Sequence, residues 1–426
     1  MNRRPPGPPS RRPSAPRVPK RSREELLAQR PLDLGDPGRI PTVEVRAPTF
    51  HPFLYRKRLG QFPERAAPGD VVRLTLTDGS HFGWGLFNPH AEIAVRTLTN
   101  AIEPPDAAWW ASRLSRAVGL RREILRLDDG SDAYRIIHAE GDSLSGLVVD
   151  KLGDVLVVEA FALGMFQRAE ALLDILNPLC GTQHAVLRTA PLSDEHEGFT
   201  ADPTGSEALP NRTTVTEFGT QFRVEFAGGH KTGFYCDQRD NRRRFAALCG
   251  GKTVLDVCAY TGGFAVQAKR LGEAAEVTGV ELDEATVGIA KENARLNKAK
   301  VQFVQGDAFP YLRDMLRNGR TYDRIVLDPP KLIFSRDDAD ISEGKRKYFD
   351  LNRLALQLVS PGGVLLSCSC SGLLSSDELF RILAAAASDV RRKIQVFAHH
   401  GAAADHPVAG NCPESEYLKT IWLRVE

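Results

Sequence analysis

The sequence predicts a doubly wound α/β sheet in the C-terminal half, preceded by a small β domain and an α+β middle unit. Three observations predict this. From Gly250 onward, short runs rich in Val, Ile and Leu alternate with stretches of helical periodicity, as in a mostly parallel sheet with crossover helices. Between 71 and 87, two apolar runs flank Asp78-Gly79, a hairpin signal. The first 40 residues are rich in Pro and Arg and poor in apolar side chains. A chain of 426 residues has room for two or three domains.

Residues 1–40 cannot bury enough surface to offset their ordering entropy, so disorder is expected there. They read either as an arm that binds phosphates regardless of sequence or as a solvated tail. Residues 41–100 form the β domain: Val43 and Val45 alternate with polar residues, and 51–58 mixes His, Phe and Tyr with Arg and Lys. That mixture suits stacking and phosphate contact with RNA, and equally an aromatic core with a charged rim. Residues 105–228 form the middle unit. Asp106 caps a helix whose apolar face is Trp110, Leu114, Ala117 and Val118. Strands follow at 134–137, 147–149, 155–161 and 185–187, with a helix over 166–176 and a polar loop over 193–212. A hairpin across Gly219 puts Phe222, Val224 and Phe226 on one face. Residues 229–426 then carry strands at 254–258, 277–280, 301–304, 324–327 and 363–369, with helices over 264–271, 284–296, 309–317 and 346–358 between them.

Composition narrows the function classes. Hydrophobic content of 42% and charged content of 26% are ordinary for a globular protein. No apolar run reaches the roughly 18 residues that span a bilayer. The N-terminus lacks the apolar core of a secretory signal, so a cytoplasmic protein without membrane partners is expected. Seven cysteines, at 180, 236, 249, 258, 368, 370 and 412, are odd in number and scattered, unlike a disulfide framework. Cys368 and Cys370 are one residue apart rather than two, so no metal site is expected. The net charge is +2, and residues 1–23 hold eight Arg or Lys and no acid, which leaves about −6 for the rest. Contact with nucleic acid must therefore rest on local basic patches or on the tail.

Ligands of doubly wound sheets bind beyond the carboxyl ends of the strands, so those ends are read for chemistry. The run from Leu255 to Gly263 closes the first strand and opens a helix. It is not a GxGxxG motif, and nothing in it demands a pyrophosphate; Asp256, Tyr260 and Gly262 are its candidate cofactor residues. Glu281 ends the second strand, 25 residues after Asp256, where a carboxylate suits a ribose diol. Asp307 follows the third strand and suits an adenine amino group. Strand-end acids of this kind fit a nucleoside cofactor lacking phosphates, S-adenosylmethionine rather than NAD. The fourth strand ends in Asp328-Pro329-Pro330-Lys331, and the last in Ser369-Cys370-Ser371-Gly372. On a strand, Cys368 and Cys370 share a face, so periodicity leaves both thiols open as reactive or buried.

A set of motifs resembles the bacterial 23S rRNA cytosine-5 methyltransferase I family. They are Tyr134-Arg135-Ile136-Ile137 with Glu140-Gly141-Asp142-Ser143-Leu144 and Gly146; Gly229 to Tyr235 with Asp237 to Asp240; Tyr260 to Ala265; Asp328 to Lys331; Ser369 to Leu373; and Ala404-Asp405-His406-Pro407 with Tyr417-Leu418-Lys419. The resemblance runs from about 41 to the C-terminus and is strongest after 130. It implies a PUA-like RNA-binding domain over 41–100, a linking domain, and a Rossmann-like class I methyltransferase domain. It implies Cys370 as nucleophile, Asp328 as the acid contacting the base, and Glu281 and Asp307 as cofactor ligands. The segment 231–242, with Tyr235 and Arg239, is expected to close over cofactor and substrate, and Pro329, Pro330 and Lys331 to contact the base. The implied partner is 23S rRNA or an assembling large subunit, with a homodimer left open. The sequence departs from some RNA cytosine-5 methyltransferases at Lys331, where those carry a second cysteine, so the base that removes the C5 proton is unassigned. Two rival readings stand: a guanine-N2 RNA methyltransferase, which needs no thiol, and a non-catalytic RNA-binding factor.

Overall fold

The computed structural model describes residues 22–226 and 233–426. The basic residues 1–21, the Gly229–Thr232 part of the Gly229 to Tyr235 motif, and with it residues 231 and 232 of the expected closing segment, lie outside them. Among the described residues no helix is long and apolar enough to cross a membrane.

The first sheet has five strands in the spatial order Thr42–Val45, Val71–Leu76, His81–Phe87, Val95–Thr99 and Phe53–Leu54. Val43, Val45, Val72 and Leu74 alternate into its core. The Asp78-Gly79 turn forms as expected: Gly79 has φ +83°, and Asp78 Oδ1 accepts the Ser80 N–H at 2.9 Å. The 51–58 segment divides between its two readings. Leu54 is buried, Phe53 lies under the Arg96 guanidinium at 5.2 Å, and Phe50 and Tyr55 are exposed.

Disorder through residue 40 is corrected for 22–40. Ser22 caps the short helix Arg23–Leu27 with a capping box, and Gln167 Nε2 donates to Leu26 O at 2.6 Å. Leu32 and Ile40 are buried with the middle unit's core. Few apolar residues sufficed because the segment docks on a finished surface instead of building its own core.

The middle sheet runs Thr204–Gly205, His184–Thr189, Val155–Ala160, Leu147–Leu152 and Ala133–His138. Asp106 caps the helix Ala107–Gly119, whose Trp110, Leu114, Ala117 and Val118 are buried as predicted. The polar loop at 193–212 also holds a short helix, Ser193–Glu197, and the edge strand Thr204–Gly205. The hairpin Arg212–Glu217 and Thr220–Glu225 buries Val215, Phe222 and Val224 in the same cluster as Phe245 and Val254 of the C-terminal domain. The core is thus continuous across position 228.

In the C-terminal domain we number strands β1 Thr253–Val257, β2 Glu276–Glu281, β3 Gln302–Gln305, β4 Tyr322–Leu327, β5 Val359–Ser369, β6 Ile394–His400 and β7 Lys419–Val425. Helices are α1 Arg239–Ala246, α2 Gly263–Arg270, α3 Glu284–Leu296, α4 Ala308–Arg317, α5 Asp338–Leu358 and α6 Ser376–Asp389. The sheet order is β3-β2-β1-β4-β5-β7-β6, parallel through β5, with β7 antiparallel between β5 and β6. The sequence pattern missed this closing pair, and α5 begins earlier than expected because Asp337 caps it at Ala339 and Asp340.

Two distant motifs meet where the middle and C-terminal domains join. Asp405 Oδ2 accepts the Arg135 N–H at 2.7 Å and Arg239 Nη1 at 2.9 Å. Arg121 bridges Asp142 and the Asp405 carbonyl, the latter at 2.6 Å. A Cβ on Gly141 would lie 2.0 Å from the Pro407 carbonyl, so only glycine lets the segments touch. Burial alone would raise the Asp405 carboxyl, but His406 and Arg239 outweigh it and hold the group well below the usual carboxylate range. Nearby, His51, Cys412 and Glu414 bring potential ligand atoms within 4.8 Å of one another. His51 Nδ1 accepts the Phe53 N–H at 3.1 Å, which leaves the ring proton on Nε2, facing Glu414 at 3.2 Å. That is a hydrogen-bonded joint; a metal-binding histidine would donate from its second nitrogen.

Candidate active site

The carboxyl ends of β1, β2 and β3 form one half of the site. After β1 the chain turns sharply: Cys258, Tyr260 and Gly262 have φ of 62°, 48° and 83°. Positive φ at two non-glycine residues is local strain of the kind that collects at ligand clamps. Glu281 Oε2 accepts the Tyr260 N–H at 2.8 Å, and Oε1 accepts the Leu282 N–H at 2.7 Å. Gly262 is required twice over, by its φ and because a Cβ would lie 2.7 Å from Phe303 Cζ.

The acids differ in what they do. Asp307 is exposed, and its Oδ1 caps α4 through the Phe309 N–H at 2.7 Å. Asp256 is fully buried: Oδ2 accepts the Ala265 N–H at 2.9 Å at the start of α2, and Oδ1 has no partner among the described residues. Burial pushes its carboxyl up to about 8; the Ala265 N–H opposes this, and Asp328 and Glu281 add to it. An acid raised in the fold gives its full stability below its unfolded value and loses it as pH rises toward the folded one. Wild type is therefore expected to lose melting temperature relative to Asp256→Asn between pH 5 and pH 8; parallel melting curves across that range would refute the assignment.

The second half lies at the ends of β4 and β5, where Leu327 pairs with Ser367. Gln238 Nε2 donates to Asp328 Oδ2 at 3.0 Å, and Asn241 Nδ2 donates to Gln238 Oε1 at 2.8 Å. Pro329 is buried, and Pro330 and Lys331 are exposed. Cys370 is half-buried, between two serines tied to one phenol: Ser369 Oγ lies 2.9 Å and Ser371 Oγ 3.0 Å from Tyr348 Oη. Cys368 is fully buried, and burial followed by Asp328 raises its thiol well above the ordinary value. Such burial favours the neutral thiol.

Tyr235 stands between the halves, its ring 4.7 Å from that of Tyr260, edge to face. Burial, then Tyr260, raises its phenol, with Asp328 and Cys370 also acting on it. Arg239, expected at the cofactor, is instead buried and paired with Asp405 at 2.9 Å and Asp240 at 3.3 Å. Gln238, Tyr348 and Lys419 are site neighbours whose roles sequence reasoning missed; Gln238 and Lys419 had a signal, their places in the Asp237 to Asp240 and Tyr417-Leu418-Lys419 motifs.

The strained turn, the strand-end carboxylates and the orphaned Asp256 oxygen fit a nucleoside cofactor carrying positive charge and no phosphates. A family profile described as S-adenosylmethionine-dependent methyltransferase matches residues 139–397, and a PUA-like domain profile matches 41–100. The ribosomal RNA large subunit methyltransferase I of Cronobacter sakazakii is 36% identical over 375 residues, 87% of this chain and 94% of that protein. The Escherichia coli K12 protein of the same name is 35% identical over 381 residues, 88% and 95%. Among solved structures, a candidate S-adenosylmethionine-dependent methyltransferase from Streptococcus mutans superposes with a TM-score of 0.75 at 19% identity, over 90% of this chain and 100% of that one. A candidate methyltransferase complexed with SAH gives 0.76 at 20% identity, with the same coverage. At that identity these structures speak for the fold. The cofactor is S-adenosylmethionine, and the chain belongs to the ribosomal RNA large subunit methyltransferase I family.

Proposed function

We propose that the protein methylates C5 of a cytosine in 23S rRNA through a covalent adduct of Cys370. The observation that carries this reading is a half-buried thiol, framed by Ser369, Ser371 and Tyr348, at the strand end beside Asp328. Asp256, Tyr260, Gly262, Glu281 and Asp307 would hold the cofactor, with Tyr235 closing against Tyr260. When bound, the cofactor supplies an electrophilic methyl group.

Cytosine C5 is a poor nucleophile, and the thiolate corrects that. Cys370 Sγ forms a bond to C6, and the C5–C6 π electrons move into the ring, leaving C5 electron-rich. Asp328, oriented by Gln238, steadies N3 and the exocyclic amine as charge develops there. Once C5 carries its methyl group, loss of the C5 proton to a base returns an electron pair to the C5–C6 bond and expels Sγ. Pro329 and Pro330 give the flipped-out base a rigid wall, and Lys331 is open to the RNA backbone. Exposed Phe50 and Tyr55 of the first domain, beside Arg56 to Arg58, suit RNA outside the pocket.

The test is to treat unmodified 23S rRNA and large-subunit precursors with the protein and labelled cofactor, then map the product by mass spectrometry. The expected product is 5-methylcytidine at one position. N2-methylguanosine would overturn the cytosine reading, and no incorporation into either substrate would overturn the rRNA assignment.

A further inference from the structure

Lys419 is a buried cation to which the mechanism so far gives no part. It opens β7 and stands opposite Ser369 in the antiparallel register with β5. Its Nζ donates to the Ser371 carbonyl at 2.6 Å and to the Tyr417 carbonyl at 2.8 Å. The ammonium therefore lies against the backbone one residue past Cys370, with one of three donors left over. Two neutral carbonyls do not offset the cost of burying a full charge, so a buried ammonium needs an anionic neighbour. Burial pushes the group down to about 8, and of the charges pulling it back up Cys370 acts most strongly, ahead of Glu416 and Glu378. Glu416 is exposed, and Glu378 is committed to Lys345 at 2.7 Å.

We propose that Lys419 is the positioning residue of the Cys370 site: its fixed ammonium holds Cys370 as a thiolate before substrate arrives. The inference rests on Cys370 being the nucleophile. Among the described residues, Tyr235 ahead of α1, Tyr348 on α5 and Cys368 two residues back also interact with Cys370, and Asp328 at the end of β4 acts on all three. None of these is a cation, and Asp328 opposes a second negative charge. Without Lys419 the thiolate would face a carboxylate and two phenols in a partly dry site. With it, the thiolate and the ammonium each favour the charged form of the other, and the pair exists between the titration of the thiol and that of Lys419.

The test reads the thiol directly. Alkylation of Cys370 by iodoacetamide is followed by peptide mass spectrometry as a function of pH in wild type, Lys419→Met and Lys419→Arg. The midpoint is expected to move up by about one to three pH units in Lys419→Met, slowing alkylation at pH 7 by up to about tenfold for each unit. Lys419→Arg is expected to restore most of the shift. Equal midpoints in wild type and folded Lys419→Met, or an arginine variant behaving like the methionine one, overturn the proposal. Should Lys419→Met fail to fold, the reciprocal measurement decides. In Cys370→Ser, labelled with 13Cε-lysine and followed by NMR, Lys419 is expected to titrate at lower pH than in wild type, and an unchanged titration overturns the proposal. Neither readout involves methyl transfer. An unshifted thiol therefore leaves the nucleophile reading standing, and a fully active Cys370→Ala enzyme would remove that reading by itself.

Discussion

Replacing Cys370 with alanine is expected to lower methyl transfer to rRNA by more than about 10⁴-fold, because a nucleophile acts as a unit with its surroundings and little remains without it. Cofactor binding should survive, since the acids of β1 to β3 are untouched. Cys368→Ala is expected to keep most of its activity and to cost about 1 kcal/mol of stability, the price of one small buried group. Cys368 near the end of β5 and Cys370 just past it are only two residues apart, so the contrast is sharp. What separates them is depth: Cys368 is fully buried in the cluster that also holds Val326, Leu366 and Trp422, whereas Cys370 is half-buried past the end of β5. Single-turnover transfer from labelled cofactor, with cofactor binding measured separately, checks the pair. Full activity in Cys370→Ala would sink the covalent mechanism.

Asp405→Asn is expected to destabilise the protein by about 3–5 kcal/mol, the cost of leaving one half of a buried ion pair uncompensated. Arg239 would lose its main anion, and the Arg135 N–H a charged acceptor. The consequence reaches the site, since Arg239 follows Gln238, the residue that orients Asp328. The pH dependence has a definite sign. The folded carboxyl titrates below its unfolded value, so its stabilisation is complete above about pH 4 and fades only as pH falls below that. Calorimetric melting of the two proteins should differ by a constant amount from pH 6 to pH 8 and converge only in acid. Superposable melting curves at neutral pH would remove Asp405 from its role at the joint.

Much of the fold was legible because it rests on period and punctuation. Val43 and Val45, the Asp78-Gly79 turn, the Asp106 cap and the Trp110 face all read directly from local pattern. Where the pattern was silent, the deciding partner lay far along the chain. Residues 22–40 look disordered alone and order only on the surface near Gln167 and Asp70. Arg239 looks like a ligand residue in a Gly-rich, charged segment, and Asp405, 166 positions away, takes it.

The sequence by itself determined the order of strands and helices from β1 to β5, the positions of the strand-end acids and the two candidate thiols, because these follow from side-chain periodicity and from where glycine and proline break it. Tertiary structure alone decided which thiol is accessible, which acid is fully buried, and which cation stands near Cys370. Those outcomes depend on burial and on charges brought together across the sheet. Lys419 reaches Ser371 from 48 residues away, through the antiparallel pairing of β5 with β7 that no local pattern announced.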